Sequence, residues 1–385
     1  MKLRIARVST VKFFVYTQLY TQLKMIKSSG MELTVISSED DGLSDDANNL
    51  SEFNFIGVNI PRNINPLKDL LALLKLIRIF RDEQFDIVHS TTPKAGLLCA
   101  IAGKISGVKI RLHTFTGQPW ATMTGLKRML LLLCDKFIAY LNTCCYTDSL
   151  SQKKFLIENG VGKDFKLLVL GQGSLAGVDL SRFNPSRYSV NNKLELRKEL
   201  TIADGSLVIL FVGRVSREKG VKELLAAFEY VLSQDIDAYL LFVGPFEPDG
   251  QVCLDEISNL MIKEKIRTVG YSGEPEKYMA ISDVLCLPSY REGFGTVVIE
   301  AAAMALPAVG TDIYGLSDAV VNGETGVLVP ARNSQLLGVA LSQVLCNDDL
   351  RTEMAAKAQK RVLDYFDSSY IGDLVIKEYE RFSVR

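Results

Sequence analysis

A chain of 385 residues exceeds what one hydrophobic core usually organises, so two domains of roughly 180 residues each are expected. Its 44 Lys and Arg against 45 Asp and Glu leave a formal net charge of -1, which excludes a nucleic-acid binder that works by bulk electrostatics. Two histidines exclude a histidine-rich metal centre, and seven cysteines without metal-ligand spacing read as reduced residues of a cytoplasmic protein; neither metal nor cofactor is expected.

The opening MKLRIARVST has no apolar segment leading to a cleavage site, so secretion is unsupported. Strands are expected at 3–8, 31–37, 86–89 and 109–115, with helices between them. Asn65-Pro66 caps and opens one helix, whose apolar positions Leu67, Leu70, Leu71, Leu74 and Ile77 follow the 3.6-residue period. Another helix begins at Thr92-Pro93. Over 123–141, Leu126, Met129, Leu130, Leu133, Cys134, Phe137, Ile138 and Leu141 share a face, with Lys127, Arg128 and Lys136 outside it. Such a stripe is more often core, and that is the expectation here; the same face would also suit an anionic bilayer. The longest strongly apolar run, 129–134, is too short to span a membrane.

The strand rhythm restarts at 207–212, 239–243, 284–287 and 308–310, so the second half is a second βα array and the fold class is α/β with two doubly wound domains. The polar stretch 184–204 is the linker candidate. The divisions expected are 1–188, 189–365 and a terminal helical piece, 366–385, that crosses back onto the first domain.

Two segments carry chemistry. Gly213-Arg214-Val215-Ser216-Arg217-Glu218-Lys219-Gly220 follows a strand and leads into a helix. Arg214 can offer a planar fork to phosphate oxygens and Lys219 a point charge, which together suit a pyrophosphate. In Glu292-Gly293-Phe294-Gly295-Thr296-Val297-Val298-Ile299-Glu300, two carboxylates flank a loop-to-helix transition, and the glycines let backbone N–H groups approach a ligand. With the helix starting near Thr296, its N-terminus would face phosphates; Glu300 could grip a ribose and Glu292 a sugar. As a diphosphate leaves a sugar, Arg214 and Lys219 would hold the growing negative charge and Glu292 the positive ring. Lone surface turns and helix-capping glutamates are the plainer alternatives.

The segment 292–300 resembles the E-x7-E element of retaining glycosyltransferases of the GT-B fold, family 4. GRVSREKG resembles the same family's Arg/Lys phosphate element, and 287–330 is similar to the family pattern along nearly its whole length. The region IVHSTTPKAGLLCAIAGKISGVKIRLHTFTG and the turn GQGSLAGVDLSRFNP resemble bacterial members that assemble O-antigen, capsule and other surface glycans. The resemblance implies two Rossmann-like domains facing a central cleft and a nucleotide-sugar donor, such as a UDP-sugar, held mainly by the C-terminal domain. It further implies a glycan or lipid-linked acceptor on the N-terminal domain, retention at the anomeric carbon, and a place on the inner face of the cytoplasmic membrane. Catalytic duty would fall to Glu292, Arg214 and Lys219. Donor binding would add Gly293, Phe294, Gly295, Thr296, Glu300 and Thr10.

The first domain departs from the pattern. Ser9-Thr10-Val11 stands where many members have a Gly-Gly pair, and Phe115-Thr116-Gly117 where many have Phe-His. Thr10 would supply a hydroxyl and an N–H to the donor phosphates. His113, Thr116 and Trp120 are the acceptor-side candidates, although His113 reads more readily as a packed histidine. The rival readings are a GT-B-like nucleotide-sugar epimerase and a catalytically silent sugar-nucleotide binder.

Overall fold

A computed structural model describes residues 2–38 and 50–383, and of Ser383 only the backbone. Residues 384 and 385 of the expected terminal helical piece lie outside the described residues. The chain forms two compact units, one comprising Met1–Gly177 and Ser368–Arg385, the other Val178–Asp367.

The first unit is built on seven strands: β1 (Arg4–Val8), β2 (Glu32–Ser37), β3 (Asn54–Gly57), β4 (Ile87–Thr91), β5 (Ile110–Phe115), β6 (Cys144–Thr147) and β7 (Leu167–Val169). They pair in the order β3-β2-β1-β4-β5-β6-β7, all parallel. The second unit holds β8 (Leu207–Val212), β9 (Ala238–Val243), β10 (Ile266–Gly270), β11 (Val284–Leu287), β12 (Ala308–Thr311) and β13 (Gly326–Val329), in the parallel order β10-β9-β8-β11-β12-β13. Central strands such as Ala238–Val243 are buried throughout, as parallel sheets covered on both faces require. These are two doubly wound α/β units of the GT-B kind.

The first unit ends at Gly177, earlier than 188, because the residues that follow belong to the second core. Val178 N–H donates to Phe366 O at 2.7 Å, and Val178 and Phe183 are buried in that core. The polar stretch 184–204 is no linker. Its centre is the helix Val190–Glu199, started by a reciprocal cap in which Ser189 and Asn192 satisfy each other's backbone N–H. Leu196 and Leu200 pack against the second core, Arg197 donates to Ile281 O at 3.1 Å, and most of the remaining residues face water, so the helix lacks the apolar stripe that would announce it.

The terminal helix Ser368–Ser383 packs along Tyr20–Ser28 in the first unit. Val375, Tyr379 and Phe382 join that unit's core, and the helices approach closely enough that a Cβ on Gly372 would sit 2.3 Å from Met25 Sδ and displace that side chain.

One helix corrects the sequence reading. In Gly125–Leu141 the buried residues are Asp135, Ile138 and Ala139, whereas Leu126, Met129, Leu130, Leu133 and Phe137 are exposed. The apolar stripe is real, but most of it points away from the core. In Pro66–Glu83, likewise, Ala72, Leu76 and Phe80 face inward and Leu67, Leu70, Leu71 and Leu74 face outward. Both helices pack against Pro93–Ile105, which lies between them.

Trp120 is likewise no surface residue. Its indole is fully buried, stacks on Phe155 at 5.1 Å and donates to Asp135 Oδ2 at 2.7 Å. It therefore lines no acceptor mouth. It anchors the turn ahead of the helix, and burial pushes the Asp135 carboxyl up to about 7, its bond from Trp120 opposing the rise.

Candidate active site

In the second sheet the chain runs outward from β8 through β9 to β10, then crosses over to lay β11 on the other side of β8. The loops after β8 and β11 thus leave neighbouring strand ends in opposite directions, the usual setting for a ligand in an open α/β sheet. The first loop carries Arg214 and Lys219; the second runs through 288–295 into the helix Thr296–Ala303. They are pressed together at Gly220, whose φ is +73° and where a Cβ would fall 2.0 Å from Pro288 O. Glycine is needed there for both conformation and space. Tyr290 N–H donates to Glu218 O at 3.0 Å, and Arg291 pairs with the Glu218 carboxylate.

This contact brings Lys219 and Glu292 together across 73 residues, Nζ to Oε1 at 2.5 Å. Ser289 Oγ donates to the same Glu292 oxygen at 2.7 Å. The two charged side chains are only 19% and 13% exposed, so each depends on the other for compensation. Arg214 differs. It is 53% exposed and pairs with Glu247 at the surface, an arrangement of small net value. A phosphate could take over its guanidinium fork at little cost.

Gly295 precedes the helix with φ +85°, and the helix N–H groups at Thr296 and Val297 open toward this loop. The turn at Gly315 supports it from beside: a Cβ there would lie 2.7 Å from Gly293 O. Phe294, expected on the donor side, is instead 2% exposed and packs on Phe366 with ring centres 5.3 Å apart. Its place is structural, because the glycines on either side let the backbone reach outward while the ring turns in.

Glu300 lies in the second turn of the helix, half-buried, and its carboxylate accepts no hydrogen bond among the described residues. Burial pushes it up to about 7, with Arg182 opposing the rise and Glu276 adding to it. Arg182 and Glu276 were not singled out from the sequence, nor were Ser289, Glu218 and Glu247. Arg182 does stand inside the GQGSLAGVDLSRFNP turn, so that motif was the available signal.

In the first unit the corresponding crossover lies between β1 and β4, and it brings Thr10 to Thr92. Thr10 N–H donates to Thr92 Oγ1 at 3.1 Å, the two hydroxyls meet at 2.8 Å, and Ala95 N–H donates to Thr10 Oγ1 at 3.3 Å. Both groups of Thr10 expected to face a donor are thus engaged within the unit. His113 is buried beneath Gly96, with Nδ1 3.0 Å from Ser90 Oγ, and burial pushes it down to about 3. It is a packed neutral histidine. His89 is another, held by Arg7, Tyr379 and Thr114 and driven well below the usual histidine range by burial and then by Arg7. Thr116, just past β5, is half-buried.

Comparison with known proteins agrees with this layout. The family model "Glycosyl transferases group 1" matches residues 192–361, and "Glycosyl transferase 4-like" matches 4–139. The chain is 30% identical over 361 residues to the capsular polysaccharide biosynthesis glycosyltransferase CapM of Staphylococcus aureus, covering 94% of this chain and 93% of that one. It is 24% identical over 353 residues to an Escherichia coli UDP-Gal:alpha-D-GlcNAc-diphosphoundecaprenol alpha-1,3-galactosyltransferase, covering 90% and 88%. Among solved structures, Anabaena Alr3699/HepE, crystallised with UDP and glucose, superposes with a TM-score of 0.80 at 18% identity over 98% of this chain and 100% of that one, a likeness of fold. With the Arg214/Lys219 and Glu292/Glu300 segments at the crossover of the second sheet, the chain belongs to family 4 of the GT-B glycosyltransferases and is an enzyme of that class.

Proposed function

We propose that this glycosyltransferase moves a sugar from a UDP-sugar to a lipid-linked saccharide, with retention at the anomeric carbon, in the assembly of a bacterial surface polysaccharide. The observation that carries the reading is the Lys219–Glu292 contact at 2.5 Å at the strand crossover, with Arg214 beside it and a helix N-terminus opening onto the same loop. Arg214 and Lys219 stabilise the diphosphate as it leaves, and Glu292 turns from Lys219 to the hydroxyls of the transferred sugar once phosphate takes the lysine. Glu300 binds the ribose. We assign Glu292 to the sugar hydroxyls rather than to a covalent adduct, and read the transfer as a front-side displacement in which the leaving phosphate oxygen accepts the acceptor's proton. The two relatives named by their products support the acceptor class, since one is called a capsule enzyme and the other acts on a diphosphoundecaprenol-linked sugar.

A membrane surface is the proposed workplace. Leu126, Met129, Leu130, Leu133 and Phe137 on one helix, and Leu67, Leu70, Leu71 and Leu74 on another of the same unit, are exposed. Lys127 flanks the first row and Lys68, Lys75 and Arg78 the second, all exposed. Apolar rows with basic flanks suit an anionic bilayer, and no described helix is long and apolar enough to cross one.

The test is nucleoside diphosphate release from a panel of UDP-, GDP- and ADP-sugars, with and without bacterial lipid extract, followed by NMR of the product's anomeric proton. Extract-dependent release from a UDP-sugar with retained configuration is expected. Glu292→Gln and Lys219→Ala should each lower it by on the order of 100-fold. An inverted product would overturn the stereochemistry, and release from a purine donor alone would overturn the donor.

A further inference from the structure

Arg7 is a cation enclosed in the first unit. It is 2% exposed, and its Nη1 donates to His89 Nδ1 at 2.8 Å and to Tyr379 OH at 2.7 Å. Nε and Nη2 are buried and have no protein partner among the described residues. Neither partner of Nη1 supplies negative charge. Burial holds the His89 ring well below the usual histidine range, with Arg7 adding to the effect, and burial raises the Tyr379 phenol, with Arg7 opposing the rise. Among the described residues Arg7 has no carboxylate partner. Glu378, next to Tyr379 in the chain, is taken by Tyr146 OH at 2.7 Å and by Arg381 Nη2 at 2.6 Å.

Arg7 lines a small cavity of the same unit together with Gln22, Thr114, Tyr146, Asp148 and, from the terminal helix, Val375. Its volume of about 10 Å³ is room for one water-sized particle. Asp148 is the only carboxyl-bearing residue on that wall among the described residues, and burial pushes it up to about 8, so near neutrality it presents a protonated group rather than a counter-charge. A guanidinium keeps its charge in a protein interior, and enclosing it without a counter-charge is costly. Water would satisfy its N–H groups but leave the charge, and an oxyanion of several heavy atoms exceeds the space. We propose that the cavity binds one small monovalent anion of the chloride class on Arg7 Nε and Nη2, and that this anion fastens the terminal helix Ser368–Ser383 to the first unit. That helix supplies Tyr379 to Arg7 and Val375 to the cavity wall, so the complete site exists only with the helix docked. An anion bound there therefore stabilises the docking by mass action.

The experiment is thermal unfolding of the full chain in sodium sulfate and in sodium chloride at equal ionic strength, for the native protein and Arg7→Met. Fluorescence of Trp120 reports on the unit that holds the cavity. Comparing the two proteins cancels the general effects of either salt. Exchanging sulfate for chloride should raise the native midpoint by roughly 4 °C more than that of Arg7→Met, the shift for about a 10-fold excess of anion over its dissociation constant. The His89–Tyr379 contact at 2.7 Å does not need the arginine, so the variant keeps that tie to the helix. A crystal of the native protein soaked in bromide gives a second readout that needs no variant: an anomalous bromine peak beside Arg7 is expected. Equal shifts in the two proteins, or a bromide-soaked crystal with only water beside Arg7, overturns the proposal.

Discussion

Lys219 and Glu292 each satisfy the other in a site mostly closed to water, so single substitutions should cost more than the pair is worth. Lys219→Met strands a carboxylate and Glu292→Met an ammonium, each expected to lower stability by roughly 3 kcal/mol, whereas the double variant should recover most of that loss. Denaturant unfolding of the four proteins completes the cycle, and additive losses would show that the two side chains do not interact. For turnover, Glu292→Gln should lose on the order of 100-fold in kcat, because an amide keeps the shape but not the charge facing the developing positive sugar. Asp135 gives a pH prediction at the same scale. Its carboxyl is raised by burial to about 7 from 3.8, so the unfolded chain gives up the proton first. Its contribution is present in full below about pH 4 and is lost as pH rises through 7. Asp135→Asn removes that dependence, so its unfolding midpoint should fall less than the native protein's between those limits. At this scale the sequence pointed to the residue types that handle phosphate and sugar, yet it could not pair Lys219 with Glu292 or find Arg182. Those contacts depend on loops far apart in the chain.

Among the elements, the helix Gly125–Leu141 shows how a period can be read correctly and turned the wrong way. The 3.6-residue repeat identifies a stripe but does not say which side meets the sheet. In Gly125–Leu141 the inward face is a narrow strip of Asp135, Ile138 and Ala139 with Leu131 and Leu132 partly covered, and the larger row of leucines is left outside. Leu130→Glu with Leu133→Glu should therefore leave the fold intact while weakening sedimentation with anionic vesicles at least 10-fold; an unfolded double variant would mean that the row is core after all. Ser368–Ser383 is the opposite case, a helix whose function lies in what it buries. Tyr379 OH meets both Arg7 Nη1, at 2.7 Å, and His89 Nδ1, at 2.7 Å, in a site closed to water. Tyr379→Phe deprives Arg7 of one of its few partners and should cost about 1–3 kcal/mol by thermal unfolding. An unchanged midpoint would mean that water already serves Arg7. Short edge strands such as Asn54–Gly57 and Leu167–Val169 escaped the sequence reading for a related reason: three or four residues carry too little pattern, and their neighbours in the sheet create them.

For the whole molecule, the chain's return to the first unit after Asp367 makes that unit discontinuous in sequence. A chain ending at Asp367 would expose the surfaces that Val375, Tyr379 and Phe382 cover, and its first unit should melt earlier than in the full protein. Trp120, the sole tryptophan, lies in that unit, so its fluorescence follows this transition alone, while calorimetry follows both; equal shifts of both transitions would show that the units unfold as one. Alternating strand and helix patterns were enough to determine two doubly wound units, because parallel sheets covered on both faces demand long apolar runs and helical crossovers. Motif spacing likewise singled out the two segments that the fold brings to one strand crossover, because charged side chains beside glycines form a pattern visible in the sequence. Tertiary structure alone decided which carboxylate neutralises Lys219, which faces of the leucine-rich helices meet water, and that Trp120 and Phe294 are buried. Each of these is a choice among partners that only the packed chain brings within reach, and burial and pairing energies are set by that packing rather than by position in the sequence.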